Sequence, residues 1–279
     1  MVRRKVLYSR IAAFCLILCV FVADRSLGQA LELDEALSLL GFDPKDSERL
    51  LDGKILSGHI KEGGDKELAV TVAMWVPGKM EDVISLVRDL DVLYASRSVL
   101  GAIDIGLASS TENAFAQVGY TPDVKKELSA LAKVKPGKDF NLSETEIEQI
   151  QKAAAGGGDR TSALVHAYRE LLLNRYEAYR ESGVSGIAPY ARSRGKQATP
   201  ASELKTAVAK ESIYKEYTPE FYRAFANYPQ DAPTDVENQF LCIRQIIQDR
   251  PTLIPSHLMF QLKPDYAVFA ERQFFVGQS

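Results

Sequence analysis

Two arginines stand in stretches that otherwise predict buried surface. Arg175 falls within the apolar stripe of a predicted long helix, and Arg272 shares one face of a predicted strand with apolar residues such as Val268 and Phe274. Because an unpaired charge is costly to remove from water, each should extend its charge to solvent or pair with a carboxylate. The functional alternative is that one lines a cavity and binds an anionic head group. Arg175 and Arg272 are therefore the candidate ligand-binding residues.

The histidines predict no metal site. His59, His166 and His257 fall in separate predicted elements and lack the spacing of metal ligands. We expect His166 on the polar side of its helix, and His59 and His257 as ordinary strand residues. No cofactor is expected.

Other short motifs favour a protein without enzymatic activity. Gly156–Gly158 follows a predicted helix and lacks the Gly-Lys-Ser/Thr ending of a phosphate loop, so it indicates a helix break. Gly183–Ile187 departs from the GxSxG pattern of a serine nucleophile at its last position. Ser212–Lys215 matches S-x-x-K without the motifs that accompany it in hydrolases. No catalytic residue is assigned, and a hydrolase is the third functional hypothesis.

The N-terminus predicts a secretory signal peptide. Basic residues precede the apolar run Ile11–Ala23, and the small residues Gly28 and Ala30 suit cleavage after Ala30. Residues 1–30 are therefore interpreted as a signal peptide, and the chain is expected to be exported, periplasmic or secreted. The run is short for a bilayer crossing, so we expect no stable membrane span after cleavage.

The net charge and the cysteine content argue against a nucleic acid partner, an internal disulfide and a cysteine-based metal site. Without residues 1–30, the chain keeps 29 basic and 36 acidic residues and has no basic block, which argues against a nucleic acid partner. Cys15 and Cys19 fall within the apolar run, so Cys242 would be left alone. This excludes an internal disulfide or a cysteine-based metal site from the processed chain. Cys242 is predicted to be buried.

Apolar periodicity predicts an α+β fold. Leu68–Val76 is apolar on both faces, which predicts a central strand covered on both sides, and a helix follows to about Arg88. Near the C-terminus, Phe240–Ile247, Leu253–Leu262 and Ala267–Val276 are predicted strands. A mixed or antiparallel sheet is expected. The last strand ends three residues before the chain does, which predicts a tucked-in end or a truncated chain.

Residues 121–228 predict a large helical insertion between these β-rich parts. Ser143 and Glu146 form a capping-box pattern at the start of one helix. Asp159 is placed to cap the next helix, which runs to about Ser182, and Gly183 is placed to end it.

The same block is rich in tyrosine and arginine, and Thr-Pro pairs at 199–200 and 218–219 predict the starts of two more helices. Eight of the twelve tyrosines lie between Tyr168 and Tyr228. Packing of amphipathic helices is the favoured interpretation. A surface that binds a protein partner in the envelope is the alternative, since tyrosine and arginine dominate such surfaces.

Four blocks resemble an uncharacterised family of exported bacterial proteins: RLLDGKILSG, AVTVAMWVPGKMEDVISLVRD, DFNLSETEIEQI and YRELLLNRYEAYRESGVSGIAPYAR. The resemblance covers most of residues 48–279 and implies no activity and no site residues. Family members continue past a segment like FAERQFFVGQS, which implies further strands and a final helix. A looser similarity of residues 68–88 is to the START-like helix-grip fold, in which a curved sheet wraps a long helix around an apolar cavity.

These observations predict a single α+β domain over residues 31–279 that carries the helical block 121–228. The leading functional hypothesis is non-enzymatic binding of an apolar or amphipathic, lipid-like small molecule. An envelope protein–protein interaction module is the alternative.

Overall fold

The computed structural model describes residues 15–21, 32–59, 70–106, 115, 125–231, 233–247, 249–264 and 266–277. The helices within these ranges are α1 (Leu33–Leu39), α2 (Ser47–Leu51), α3 (Met80–Arg88), α4 (Asp91–Tyr94), α5 (Lys125–Leu131), α6 (Glu144–Ala155), α7 (Arg160–Ser182), α8 (Pro200–Lys210), α9 (Ser212–Tyr217) and α10 (Pro219–Asn227). The strands are β1 (Cys15–Phe21), β2 (Leu56–His59), β3 (Val70–Ala73), β4 (Val99–Asp104), β5 (Tyr190–Ala191), β6 (Gln197–Ala198), β7 (Val236–Ile247), β8 (Arg250–Leu262) and β9 (Tyr266–Gln273). The α+β class is confirmed, with antiparallel sheets.

The main sheet has the strand order β1-β9-β8-β7-β4, and every pair of neighbours is antiparallel. Successive side chains of a strand point to opposite faces. In β7, Phe240 and Cys242 pack with the core of α7, whereas Leu241 and Ile243 pack with the core of α3. The sheet is therefore covered by helices on both faces.

The helical block is an insertion between two neighbouring strands. β4 pairs with β7, with Ile103 opposite Cys242, although more than a hundred residues separate them in the chain. Helices α5–α10 lie in that interval, so the predicted insertion is confirmed. Residues 121–124 of the predicted block lie outside the described residues.

Helix α7 is the main element of the core on this face. Its buried residues recur at helical spacing and are Leu164, Tyr168, Leu171, Leu172, Arg175, Tyr176 and Tyr179. At about 1.5 Å per residue it is roughly 34 Å long, enough to cross the sheet. The Asp159 side chain accepts hydrogen bonds from the amides of Thr161 and Ser162, which satisfies two orphan donors at the start of the helix. The helix ends at Gly183, which has a φ of 56°, as predicted.

The other helix boundaries follow local signals. Ser143 and Glu146 form the predicted capping box of α6, and Gly156 ends that helix. Helices α8 and α10 begin at prolines, as the Thr-Pro pairs predict. However, neither Thr199 nor Thr218 makes a side-chain cap hydrogen bond. The fixed φ of proline, rather than a threonine cap, favours these starts.

The prediction that Leu68–Val76 forms a central strand of the main sheet is wrong. In the described part of this stretch, β3 pairs only with β2, in a separate two-stranded sheet. Val70 and Val72 are 51% and 48% exposed, and Met74 and Trp75 are exposed as well. An apolar run on both faces shows that a strand could be buried on both sides, but not which sheet it joins. The positions buried on both faces are taken by β8 and β9.

The described part of the N-terminal apolar run lies at the edge of the main sheet. Residues Cys15–Phe21 form β1 and pair with β9 from Cys15 opposite Arg272 to Phe21 opposite Tyr266. Cleavage after Ala30 stays a prediction. No helix among the described residues has the length and apolar character needed to cross a membrane.

Candidate functional site

Arg272 is completely buried beneath the helical block. It lies on β9 opposite His257 of β8, and none of its surface is exposed. Its Nη2 donates a hydrogen bond of 2.7 Å to the carbonyl of Phe225, and its Nη1 donates one of 3.1 Å to the hydroxyl of Tyr179. Its Nε is buried and has no hydrogen-bond partner.

The surroundings of Arg272 compensate its charge only in part. No carboxylate among the described residues pairs with it. Phe225 lies in the last turn of α10, where backbone carbonyls carry partial negative charge, and its ring lies 4.0 Å from the guanidinium carbon. These contacts fix the position of the guanidinium, and the Nε donor stays buried without a partner.

A directional hydrogen-bond network extends from Arg272 to Asn238. The Tyr179 hydroxyl lies 2.9 Å from Nδ1 of His257, and Nε2 of His257 lies 2.8 Å from Oδ1 of Asn238. Because the Asn238 oxygen can only accept, Nε2 of His257 carries the proton and Nδ1 is an acceptor. Tyr179 therefore donates to His257 and accepts from Arg272.

Burial keeps His257 of this network uncharged, and also the neighbouring Tyr228. Burial lowers the pKa of His257 well below its usual value, and the charge of Arg272 lowers that pKa further. Burial raises the pKa of Tyr228 to about 12, and the Tyr228 ring packs against both His257 and Tyr179. The positive charge of the cluster therefore resides on Arg272.

A small cavity of about 120 Å³ adjoins Arg272. Its lining residues are Val184, Lys205, Val208, Ala209, Tyr222, Ala226 and Arg272. The walls are mainly apolar, two of the lining side chains are cationic, and none is acidic. Such a cavity suits a small anionic group better than a neutral or cationic one.

A shallow surface groove of about 740 Å³ adjoins the cavity. The two share Lys205 and Ala209 in their linings. The rest of the groove is lined by small, hydroxyl-bearing or cationic residues, namely Ser185, Thr199, Ala201, Ser202, Thr206 and Lys210. Lys205 stands where groove and cavity meet, and its Nζ donates a hydrogen bond of 3.0 Å to the hydroxyl of Ser185.

Helix α8 and the turn after α7 shape this groove. α8 buries Leu204 and Val208, so the adjacent residues at helical spacing, Ala201, Lys205 and Ala209, lie along the groove. The turn approaches its neighbours closely, since a Cβ at Gly183 would lie 1.9 Å from the carbonyl oxygen of Tyr228. This close approach is possible only for glycine and places the following residues, Val184 and Ser185, against α8.

Arg175, the other candidate, has a carboxylate partner. Its Nε and Nη2 donate hydrogen bonds of 2.7 Å to the two carboxylate oxygens of Glu146, and its guanidinium carbon lies 4.2 Å from the ring centroid of Phe275. Glu146 also accepts a hydrogen bond from the Ser143 amide. Arg175 thus joins α7 to the start of α6, and it lines neither the cavity nor the groove.

The sequence interpretation missed several residues of the site. Lys205 and Tyr179 are not among the site residues that the sequence predicts, and His257 was expected to be an ordinary strand residue. The spacing of Ala201, Lys205 and Ala209 places them on one face of α8, but such a face is ordinary on an amphipathic helix and does not mark a groove. No sequence pattern predicts the contact between Tyr179 and His257, which are far apart in the chain.

His166 and Cys242 line neither the cavity nor the groove. Within the described ranges, no three His, Cys, Asp or Glu side chains are grouped to hold a metal ion. His166 is exposed, as predicted, and the side chain of His59 lies outside the described residues. Cys242 is buried, as predicted, and burial raises its pKa to about 12, so the thiol is not a reactive nucleophile.

Comparisons with known proteins give no guide to the site. The chain matches no model of a protein family, no curated protein and no solved structure. The fold and the site define an α+β protein with a cation-lined groove, and its function is argued from that chemistry.

Proposed function

We propose that this protein binds a small anionic, amphipathic molecule without transforming it, and that the head group of the molecule sits beside Arg272. The observation that carries the proposal is the buried guanidinium of Arg272, which borders a cavity and lacks a carboxylate partner among the described residues. An anion bound in this cavity would offset the charge of the guanidinium.

The lining favours an amphipathic ligand over a purely apolar one. Val184, Val208 and Ala226 offer apolar contacts, whereas Arg272 and Lys205 need a partner that carries negative charge. A purely apolar ligand would fill the space and leave the charge of Arg272 without an opposite charge beside it. A ligand with an anionic head group and an apolar portion would match both the cationic and the apolar residues of the lining.

The chemistry of the site supports binding rather than catalysis. Both ring nitrogens of His257 are engaged, by Tyr179 and by Asn238. Its lowered pKa follows from burial, and no cysteine or acidic side chain is present in the lining to pair with it as nucleophile or acid. The groove hydroxyls, such as Ser202 and Thr206, line the outer groove and not the cavity of Arg272.

The proposal includes export to the periplasm or the exterior, which rests on the pattern of residues 1–30. The alternative hypothesis, an envelope partner bound by the Tyr/Arg-rich block, gains no specific support. Five of the eight tyrosines in the block are buried, namely Tyr168, Tyr176, Tyr179, Tyr190 and Tyr214.

Isothermal titration of the full chain with two amphiphiles of equal tail length tests this function. We expect octyl sulfate to bind at one site and octyl glucoside, which is neutral, to give no saturable heat. Arg272→Met should weaken octyl sulfate binding by at least about tenfold, because the buried positive charge beside the cavity is lost. Lys205→Gln, a change at the groove that leaves the core intact, should weaken it by about threefold or more.

Circular dichroism and thermal melting check that each variant is folded. Equal binding of the neutral and anionic amphiphiles, or unchanged affinity in a folded Lys205→Gln variant, would overturn the proposal.

A further inference from the structure

The outer edge of β9 is an interaction surface distinct from the cavity. Among the described strands, only β1 (Cys15–Phe21) pairs with this edge. We propose that the edge binds an extended apolar segment of another exported protein, which pairs with β9 as an antiparallel strand. Residues Cys15–Phe21 occupy it in the full chain. The inference rests on the proposed export in one respect, because cleavage after Ala30 would remove these residues and open the edge.

Strand β9 is buried in the manner of an interior strand. Residues 267–272 are buried without interruption. Val268 and Ala270 pack with the core of α10, whereas Ala267 and Phe269 pack with the core of α3. Apolar side chains therefore flank the outer backbone edge of β9 on both faces of the sheet. Such an edge suits an apolar neighbouring strand.

The sequence of β9 lacks the features that usually prevent an edge strand from pairing. It contains no proline or glycine, and its register with β1 runs through seven successive pairs without a shift. Its charged residues, Glu271 and Arg272, are only 7% and 0% exposed, so they do not guard the edge.

The opposite edge of the main sheet differs in this respect. The register of β4 with β7 shifts between Val99 and Gly101, and Leu100 between them is 49% exposed. An irregularity of this kind twists an edge strand and discourages further pairing. The sheet therefore has one irregular edge, at β4, and one regular edge, at β9.

Backbone hydrogen bonding gives the regular edge its capacity to bind. In an antiparallel sheet, alternate residues of a strand direct their N–H and C=O groups toward each neighbouring strand. Without β1, the outward groups of β9 would lack strand partners next to buried side chains. An extended peptide restores these hydrogen bonds, which is the mode of recognition by β-strand addition.

The residues that occupy the edge in the full chain indicate the chemistry of the partner. The sequence of Cys15–Phe21 is CLILCVF, which is uncharged and contains no glycine or proline. It pairs residue by residue with Tyr266–Arg272 of β9. The partner segment is therefore about seven residues long, uncharged and rich in β-branched or other apolar residues.

A labelled peptide and the full chain test the inference. The peptide carries residues 15–21 with both cysteines replaced by serine and with a lysine at each end for solubility. The edge is opened by the double substitution Ile17→Pro and Leu18→Pro. Because successive amides of a strand point to opposite sides, one of the two prolines removes a hydrogen bond to β9.

Fluorescence anisotropy should show saturable binding of the peptide to the double variant. Binding to the wild type should be at least about tenfold weaker, because its own strand is tethered beside the edge and competes. Leu27→Pro, a substitution outside β1, is the matched control and should behave as the wild type. A second peptide with proline at the two central positions should not bind.

Hydrogen exchange measured by mass spectrometry locates the binding. The peptide should slow exchange in Tyr266–Gln273 of the double variant, and circular dichroism checks that this variant is folded. A folded variant that binds no peptide, or binds it without protecting this strand, would overturn the proposal. Protection without peptide in a variant that dimerises would also overturn it, since a second copy would then be the occupant.

The wild-type full chain provides a measurement that does not depend on the double variant. Its residues 15–21 should exchange slowly, and exchange at the rate of an unstructured chain would overturn the assignment of β1 to this edge. Octyl sulfate is titrated into the same samples. Loss of anion binding with intact peptide binding would contradict the proposed ligand and leave the strand-binding edge supported.

Discussion

The guanidinium of Arg272 and the hydroxyl of Tyr179 are joined by a buried hydrogen bond of 3.1 Å, which links the strand β9 to the long helix α7. The same hydroxyl donates to His257, so one oxygen atom serves two buried partners. Through this contact, the helix that organises the core also fixes the charge that borders the cavity. The stability of the fold and the geometry of the site therefore depend on the same atoms.

Removing this hydroxyl should destabilise the protein. Tyr179→Phe leaves a donor of Arg272 and the acceptor of His257 without a partner, and we expect the free energy of unfolding to fall by about 2–4 kcal/mol. Urea denaturation followed by circular dichroism measures this. Tyr266→Phe, on β9 but outside the network, is the control and should stay within about 0.5 kcal/mol of the wild type. Equal stability of Tyr179→Phe and the control would show that the network contributes little.

The buried histidine predicts a pH dependence of stability. Burial lowers the folded-state pKa of His257 well below its usual value of 6.5, so the unfolded chain takes up a proton there before the folded chain does. The free energy of unfolding should therefore fall as the pH falls from 7 toward 5, by up to about 1.4 kcal/mol per pH unit below the unfolded pKa.

The His257→Gln variant isolates this effect. Urea denaturation between pH 7.5 and 5 should show a smaller loss of stability in His257→Gln than in the wild type. The exposed His166, replaced in the same way, is the control and should retain the wild-type slope. If His257→Gln and the wild type have parallel profiles, His257 is not held neutral by its surroundings.

The ion pair between Arg175 and Glu146 should be structural. Arg175→Met leaves a half-buried carboxylate without its partner, and we expect a loss of about 3 kcal/mol in the free energy of unfolding. Arg49→Met breaks an ion pair with Asp46 whose arginine side chain is 63% exposed, and should change stability by less than about 0.5 kcal/mol.

The affinity of folded Arg175→Met for octyl sulfate completes this test. Because Arg175 lines neither the cavity nor the groove, the affinity should equal that of the wild type. A tenfold loss of affinity in a folded Arg175→Met protein would place this arginine in the ligand site instead.

The close turn after α7 should tolerate no side chain. Gly183→Ala would place a methyl group 1.9 Å from the Tyr228 carbonyl oxygen at a φ of 56°, so we expect a loss of about 3 kcal/mol or more. Gly156→Ala is the matched control. A Cβ added at Gly156 would lie 3.5 Å from its nearest neighbour, the carbonyl oxygen of Ala153, and the φ of Gly156 is −62°. Thermal unfolding should show a large fall for Gly183→Ala and almost none for Gly156→Ala. Similar melting temperatures of the two variants would contradict the turn geometry.

Local signals predicted the helical block well, because a cap and the helix it begins are adjacent in the chain. Ser143, Glu146, Asp159 and Gly183 each act where their spacing predicts. Strand placement was less predictable, because the partner of a strand is set by contacts distant in sequence. The run that includes Val70 and Val72 has the pattern of a central strand, yet in the described structure it forms a small exposed hairpin.

Part of the site could be predicted on the same grounds. The strand pattern placed Arg272 on an apolar face, and the residue is fully buried there. The pattern could not distinguish Arg272 from Arg175, because only the tertiary structure shows which arginine meets a carboxylate. Lys205 gave no anomaly, since a lysine on an amphipathic helix is ordinary. Lys205 becomes a candidate site residue only because α8 lies beside the cavity in the folded protein.

The most direct test of the central claim follows the side-chain Nε–H resonance of Arg272 by nuclear magnetic resonance while octyl sulfate is added to the full chain. Arg272→Lys, which lacks this group, identifies the resonance. We predict a saturable shift of the Nε–H signal that follows the calorimetric binding curve, because a negative charge bound in the cavity changes the electric field at the guanidinium. An Nε–H signal that stays fixed while octyl sulfate binds would contradict the assignment of Arg272 as the head-group site.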